Sequence, residues 1–276
     1  MRKLNHSVLI EIAGLASSLM LGARPVFAVS LTATKPIVEY ELSPGEVVQD
    51  SIELANGSEF PLKVKIYLQD WRYVAPGNGD KEFAPPQTLP RSCAGWISFL
   101  PQSADVPAHG NLKVDYAVSV PKEYQALDGG YYAVLFFEAR IDNPQAIEEN
   151  TVGVKYAMRI GSLFTVKIKG TVRREAHLSS LSVTPPTPSD SLKVSGQFTN
   201  DGNVALKCAG SMNIMAPDNM VAGRGDLGTI CTWPGLDVPI AAEWNGNLAK
   251  GSYSVVLTYD CGEELVIVEE AKTAVP

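Results

Sequence analysis

Between Gly130 and Gly170 the chain runs GYYAVLFFEAR, a polar stretch from Ile141 to Thr151, then VGVKYAMRIGSLFTVKIKG. Tyr131 to Glu138 is apolar on both alternating faces, the pattern of a strand covered on both sides inside a sandwich. In the second run Val154, Tyr156, Met158 and Ile160 fall on one face, with Lys155, Ala157 and Arg159 on the other. A long strand with so regular an apolar comb either completes its own core or templates a strand of a partner.

The period of two recurs along the chain. Leu62, Val64, Ile66 and Leu68 alternate with Lys63, Lys65, Tyr67 and Gln69, and Leu112, Val114, Tyr116, Val118 and Val120 repeat the pattern up to Pro121, which cannot continue a central ladder. Ser43-Pro44-Gly45, Asn56-Gly57-Ser58 and Asp128-Gly129-Gly130 carry turn chemistry. Residues 74–95, rich in proline, glycine and asparagine, read as a long loop. Just before it, Trp71 and Tyr73 form either an exposed aromatic patch or packing at a sandwich end. After Gly170 the runs LSSLSV, LKVSGQFTN, VALKCAGSMNIM, YSVVLTY and ELVIVEE are short strands separated by turns such as Asn200-Asp201-Gly202-Asn203. No helical period of useful length occurs from residue 29 onward. The expected fold is all-β, two immunoglobulin-like Greek-key sandwiches in tandem over 29–170 and 171–276. Pro185-Pro186-Thr187-Pro188 belongs to a loop within the second, because the apolar pattern starts before it, at Leu178.

Residues 1–28 read as an export leader. Arg2 and Lys3 give a positive start, Ile12–Ala23 is a short apolar stretch, and Val26-Phe27-Ala28 supplies a cleavage site. A membrane anchor needs about 20 unbroken apolar residues, more than this run offers, and no second span follows. Removing the leader leaves 248 residues with 20 bases against 29 acids, a net charge of −9. That balance argues against a nucleic-acid backbone as partner. Cys93, Cys208, Cys231 and Cys261 lack CxxC spacing, and only His109 and His177 follow the leader, which argues against zinc. In an oxidising compartment the three cysteines of the second half supply one disulfide with one thiol left over. Cys93 either pairs across domains or stays a buried thiol.

These residues together resemble the periplasmic pilus chaperones, two immunoglobulin-like domains set at an angle. The start, VSLTATKPIVEYELSPGEVVQDSIELAN, is similar to their first two strands. VKYAMRIGSLF is similar to the last strand of their first domain, which passes alternating apolar residues to a pilin subunit. Trp96, Pro121, Gly130, Tyr131 and the apolar strand match the wider chaperone-like superfamily, which includes Gram-positive surface proteins of the WxL-interacting type. The resemblance covers residues 29–170 and reaches the second domain only as a generic sandwich. It implies a periplasmic or secreted protein of the bacterial cell envelope, a pilin-like or other exported protein subunit as partner, and no cofactor. It also implies a clamp for the subunit's terminal carboxylate, made by an arginine of the first strand and a lysine just before Leu-Phe. Here Lys35 stands at the first position, keeping the charge without the bidentate fork, and Ser162 at the second, with no charge. One residue is also missing between Arg159 and Ser162. The candidate partner-binding residues are therefore Lys35, Val154, Tyr156, Met158 and Ile160, acting by β-strand addition along 152–160.

Other signals are weaker. Arg224-Gly225-Asp226 is an adhesion-type tripeptide in an expected loop, and Asn56-Gly57-Ser58 fits a glycosylation acceptor as well as a hairpin turn. His109 and His177 have no nucleophile motif around them, no G-x-S-x-G or phosphate loop is present, and an enzyme is not expected. The rival to a chaperone-like function is a structural or adhesive envelope protein whose comb is buried in its own sandwich. A binding module built on loop 74–95 is a third possibility. The first two differ at the strand edge: a chaperone-like strand leaves it open, whereas a structural module covers it, for instance with Ile37–Leu42.

Overall fold

The computed structural model describes residues 29–122, 127–141, 156–262 and 265–276. The expected leader and residues 152–155, Val154 among them, lie outside these; of Tyr156 only the backbone is described. The chain is all-β, two sandwiches in tandem, as its alternation predicts.

The first sandwich contains β1 (Leu31–Ala33), β2 (Ile37–Leu42), β3 (Val47–Asn56), β4 (Leu62–Tyr73), β5 (Lys81–Ala84), β6 (Ile97–Leu100), β7 (Ser103–Val106), β8 (Asn111–Ser119), β9 (Gly130–Ile141) and β10 (Tyr156–Ile168). One sheet has the order β1-β3-β8-β6; the other runs β2-β10-β9-β4-β5, with β7 also paired to β4. The second sandwich pairs β11 (Ala176–Thr184), β12 (Leu192–Asn200) and β15 (Asp237–Trp244) in one sheet. Its other sheet has the order β14-β13-β16-β17, from β14 (Val221–Thr232), β13 (Leu206–Met215), β16 (Gly251–Asp260) and β17 (Val266–Val275).

Alternation decides which residues face inward. On β4, Leu62, Val64 and Ile66 are buried while Lys63 and Lys65 are exposed; on β8, Val114, Tyr116 and Val118 are buried. Each fully buried aliphatic side chain contributes about 1.5–3 kcal/mol. Central β9 is covered on both faces. Ala133, Leu135, Phe137 and Ala139 enter the first core, while Tyr132, Val134 and Phe136 join Trp71 and Trp233 in a separate cluster. Trp233 comes from the second sandwich, so the outer cover of β9 is the seam between the two halves. Its ring lies 4.2 Å from Tyr132 and 5.9 Å from Trp71. The Ala205 N–H donates to Tyr132 Oη (2.6 Å), Gly130 N–H to Asn203 O (3.0 Å) and Cys231 N–H to Gly77 O (2.7 Å). Trp71 is thus buried seam packing rather than an exposed patch.

Several loop expectations are corrected. Segment 74–95 is not a free loop: it contains β5, hydrogen-bonded to β4, because Lys81–Ala84 can extend that sheet by an edge strand. The buried Asp70 carboxylate accepts the N–H groups of Gln87, Thr88 and Leu89 and the Ser92 hydroxyl, which fixes the rest of the segment. Arg224-Gly225-Asp226 lies inside β14, paired with β13, instead of in a loop. β10 ends at Ile168, and Gly170, at φ +73°, makes the turn that follows. Cys208 and Cys261 form the disulfide, while Cys93 and Cys231 are buried thiols.

Candidate functional site

β10 is antiparallel to β9 along its length, from Tyr156↔Ile141 to Lys167↔Gly130, with no shift of register. On its other side β2 runs parallel to it, but only from Leu163↔Ile37 to Ile168↔Leu42. The reason lies in the first strand. β1 belongs to the opposite sheet, paired with β3, and the chain crosses between sheets at Thr34-Lys35-Pro36. Pro36 has no N–H to give a ladder, so β2 starts after it. Among the described residues, no strand pairs with Tyr156–Ser162 on the β2 side.

The hydrogen bonds say which groups face that gap. Leu163 N–H donates to Pro36 O (2.9 Å), toward β2, and Ile168 N–H to Gly129 O (2.8 Å), toward β9. Since backbone direction alternates along a regular strand, Ala157, Arg159 and Gly161 direct their N–H and C=O groups to the open side. That is a strand edge, three outward residues long, without a partner strand among the described residues.

Side chains on the inward face of β10 form one continuous stripe. Ile168, Val166, Phe164 and Ser162 are buried; Ile160 and Met158 are half-buried and pack against the same core. The core face therefore thins out where the β2 edge opens. On the outer face Arg159 lies over the Phe136 ring at 4.2 Å and beside Phe83 at 5.7 Å. Gly161 is required there, because a Cβ would sit 2.8 Å from Val134 Cγ2 and 2.9 Å from Phe136 Cε1.

Lys35 and Ser162, the two positions at which the resemblance implies a clamp, do meet. The Ser162 hydroxyl donates to Lys35 O at 2.6 Å and is fully buried. The Lys35 ammonium, half exposed, reaches Asp50 Oδ2 at 2.5 Å. Around the same oxygen the Tyr40 and Tyr116 hydroxyls each lie at 3.3 Å and are 2.8 Å from one another. Ser51 N–H donates to Asp50 Oδ1 (2.7 Å). The Lys35 bond, aided by Ser51, holds the Asp50 carboxyl down to about 2. Burial pushes the phenols of Tyr40 and Tyr116 up. Tyr116 also packs edge-on against Phe164 of β10, tying the cluster to the strand. Asp50, Tyr40 and Tyr116 escape a reading of the sequence, because they stand 15, 10 and 66 positions from their partners and form no local motif.

The remaining candidates are structural. Asn56 is buried; its amide donates to Phe60 O, Val106 O and Pro107 O, and its oxygen accepts Ser58 N–H, so no acceptor face is left for a glycan. His109 pairs with Glu59 at 3.0 Å and His177 with Asp201 at 2.5 Å, both at the surface. Among the described residues no group of His, Cys, Asp or Glu is arranged to hold a metal ion. No described helix is long and apolar enough to cross a membrane.

No family model and no curated protein matches the chain. Solved structures do resemble it. A chain of a chaperone–tip adhesin complex of CFA/I fimbriae biogenesis is 12% identical over 87% of this chain and 98% of its own, with a TM-score of 0.48. The class 5 fimbriae chaperone CfaA is 14% identical over 90% and 100%, with a TM-score of 0.45. A chain of the Salmonella enterica SafA pilin–SafB chaperone complex is 13% identical over 92% and 99%, with a TM-score of 0.41.

Proposed function

We propose that this chain is an exported, pilus-chaperone-like protein that binds an extended segment of another exported protein by β-strand addition to β10. The observation that carries this reading is the divided edge: β2 covers Leu163–Ile168 and leaves Tyr156–Ser162 without a partner strand among the described residues. An incoming strand gains backbone hydrogen bonds from Ala157, Arg159 and Gly161, and side-chain contact from half-buried Met158 and Ile160, with Tyr156 and Val154 extending the comb in sequence. If it runs parallel to β10, it continues the line of β2 and its C-terminal end meets the crossover at Lys35. Lys35, the position at which the resemblance implies an anchor for a terminal carboxylate, stands at that end with its ammonium on Asp50.

The rival reading, a structural envelope module, needs the whole edge covered. Amide hydrogen exchange separates the two. In the free protein the amides of Ala157, Arg159 and Gly161 should exchange fast, and those of Met158, Ile160 and Ser162, which face β9, slowly. Equal protection of both sets would sink the chaperone-like reading. Ala157→Pro then removes one outward N–H without touching the β9 ladder. It should abolish capture of a fluorescein-labelled peptide of alternating valine and serine while leaving the melting curve in place.

A further inference from the structure

We infer that Asp50 is a built-in counter-carboxylate that occupies Lys35, so that strand capture by this protein does not select for a free C-terminus. The inference rests on the strand-addition reading above and specifies the kind of segment it takes. Both groups that could receive a terminal carboxylate at the end of the groove are already engaged. The Lys35 ammonium is bonded to Asp50 Oδ2 at 2.5 Å, and the Ser162 hydroxyl donates to Lys35 O. Asp50 is exposed but fixed in place. It stands opposite Tyr116 in the β3–β8 ladder, with Ser51 N–H on one oxygen and the Tyr40 and Tyr116 hydroxyls beside the other. A second carboxylate arriving here would put two negative charges on one ammonium, and like charges in one site oppose each other. An internal segment of the partner, whose backbone passes the crossover uncharged, meets no such opposition. Asp50 therefore works as a specificity residue, acting through Lys35, for internal strands over chain ends.

The test uses the full chain and two fluorescein-labelled peptides of alternating valine and serine, one ending in a free carboxylate and one in an amide. Wild type should bind both within about twofold. Asp50→Asn, which frees the ammonium while keeping the shape, should prefer the carboxylate by about fivefold, the ratio that one exposed ion pair supplies. Adding Lys35→Gln to that variant should remove the preference. Asp50→Ser serves as a second variant should the asparagine disturb folding, judged by the melting curve. The inference is overturned if wild type already prefers the carboxylate as strongly as the variants do, or if neither variant gains a preference; strand addition survives both results. Binding of neither peptide by any form overturns the strand-addition reading as well, and Ala157→Pro marks the difference by losing both peptides wherever they bind through this edge.

Discussion

Trp233→Ala tests whether the two sandwiches act as one body. The indole is buried at the seam, 4.2 Å from the Tyr132 ring and 5.9 Å from Trp71. Truncating a buried tryptophan costs about 3–5 kcal/mol, of which each aromatic pair accounts for about 0.5–1.5 kcal/mol. The ring contributes little to the second core itself, which is built from other residues. Most of the loss therefore falls on docking. Contacts that remain across the seam include the Tyr132–Ala205, Gly130–Asn203, Cys231–Gly77 and Asn203–Asp128 hydrogen bonds, each worth about 0.5–1.5 kcal/mol. Weakening the docked state by about 3 kcal/mol raises the undocked population more than a hundredfold.

The assay is limited trypsin digestion with calorimetry. Arg173, in the junction between β10 and β11, has its N–H on Asn203 Oδ1 and its C=O on Asn203 N–H, and Asn203 in turn bonds Asp128 and Thr171. Docking therefore shields the bond after Arg173. Wild type should melt in one transition and resist cleavage there; Trp233→Ala should melt in two and be cut at Arg173 or Arg174 at least tenfold faster. Unchanged cleavage and a single unshifted transition would refute the seam as the element that couples the halves.

Three further outcomes follow from the hydrogen bonds and covalent links. Asn56→Ala takes a side-chain donor from Phe60 O, Val106 O and Pro107 O and an acceptor from the buried Ser58 N–H; urea unfolding should show the first sandwich weakened by about 2–4 kcal/mol. Replacing both Cys208 and Cys261 by alanine opens a link between positions 53 apart, which in the chain-entropy treatment costs about 4 kcal/mol, and calorimetry should place that loss in the second sandwich. Asp50 has a folded pKa of about 2, below its ordinary value, so its stabilisation is complete above about pH 4 and fades as pH falls through 2; because both partners are more than a third exposed, the effect should stay below about 1 kcal/mol, and Asp50→Asn should erase that limb of the acid titration.

Much of the architecture is legible in the residues because period two reports which face of a strand is buried. β4, β8 and β9 follow from it directly, including burial of β9 on both faces. What covers the second face is not legible, since Trp233 lies about 100 positions away in a turn-like Thr-Trp-Pro-Gly run with no period of its own. β14 is hidden for a related reason: it carries Gly223, Gly225 and Gly228, and most of its residues are exposed or half-buried, so it lacks both strand propensity and alternation. The comb on β10 exposes the limit of periodicity most clearly. One unbroken stripe runs from Met158 to Ile168, yet its two halves meet different surroundings, because alternation encodes the face of a strand and is silent about its edges. Edge cover is decided 120 or more residues earlier, where the chain changes sheets at Lys35-Pro36 and β2 joins in parallel at Ile37. Completing its own core and leaving part of its edge open thus cease to be exclusive for this strand. Leu163–Ile168 completes the core under β2, and the length before Ser162 keeps the same apolar face with its outward amides unclaimed among the described residues.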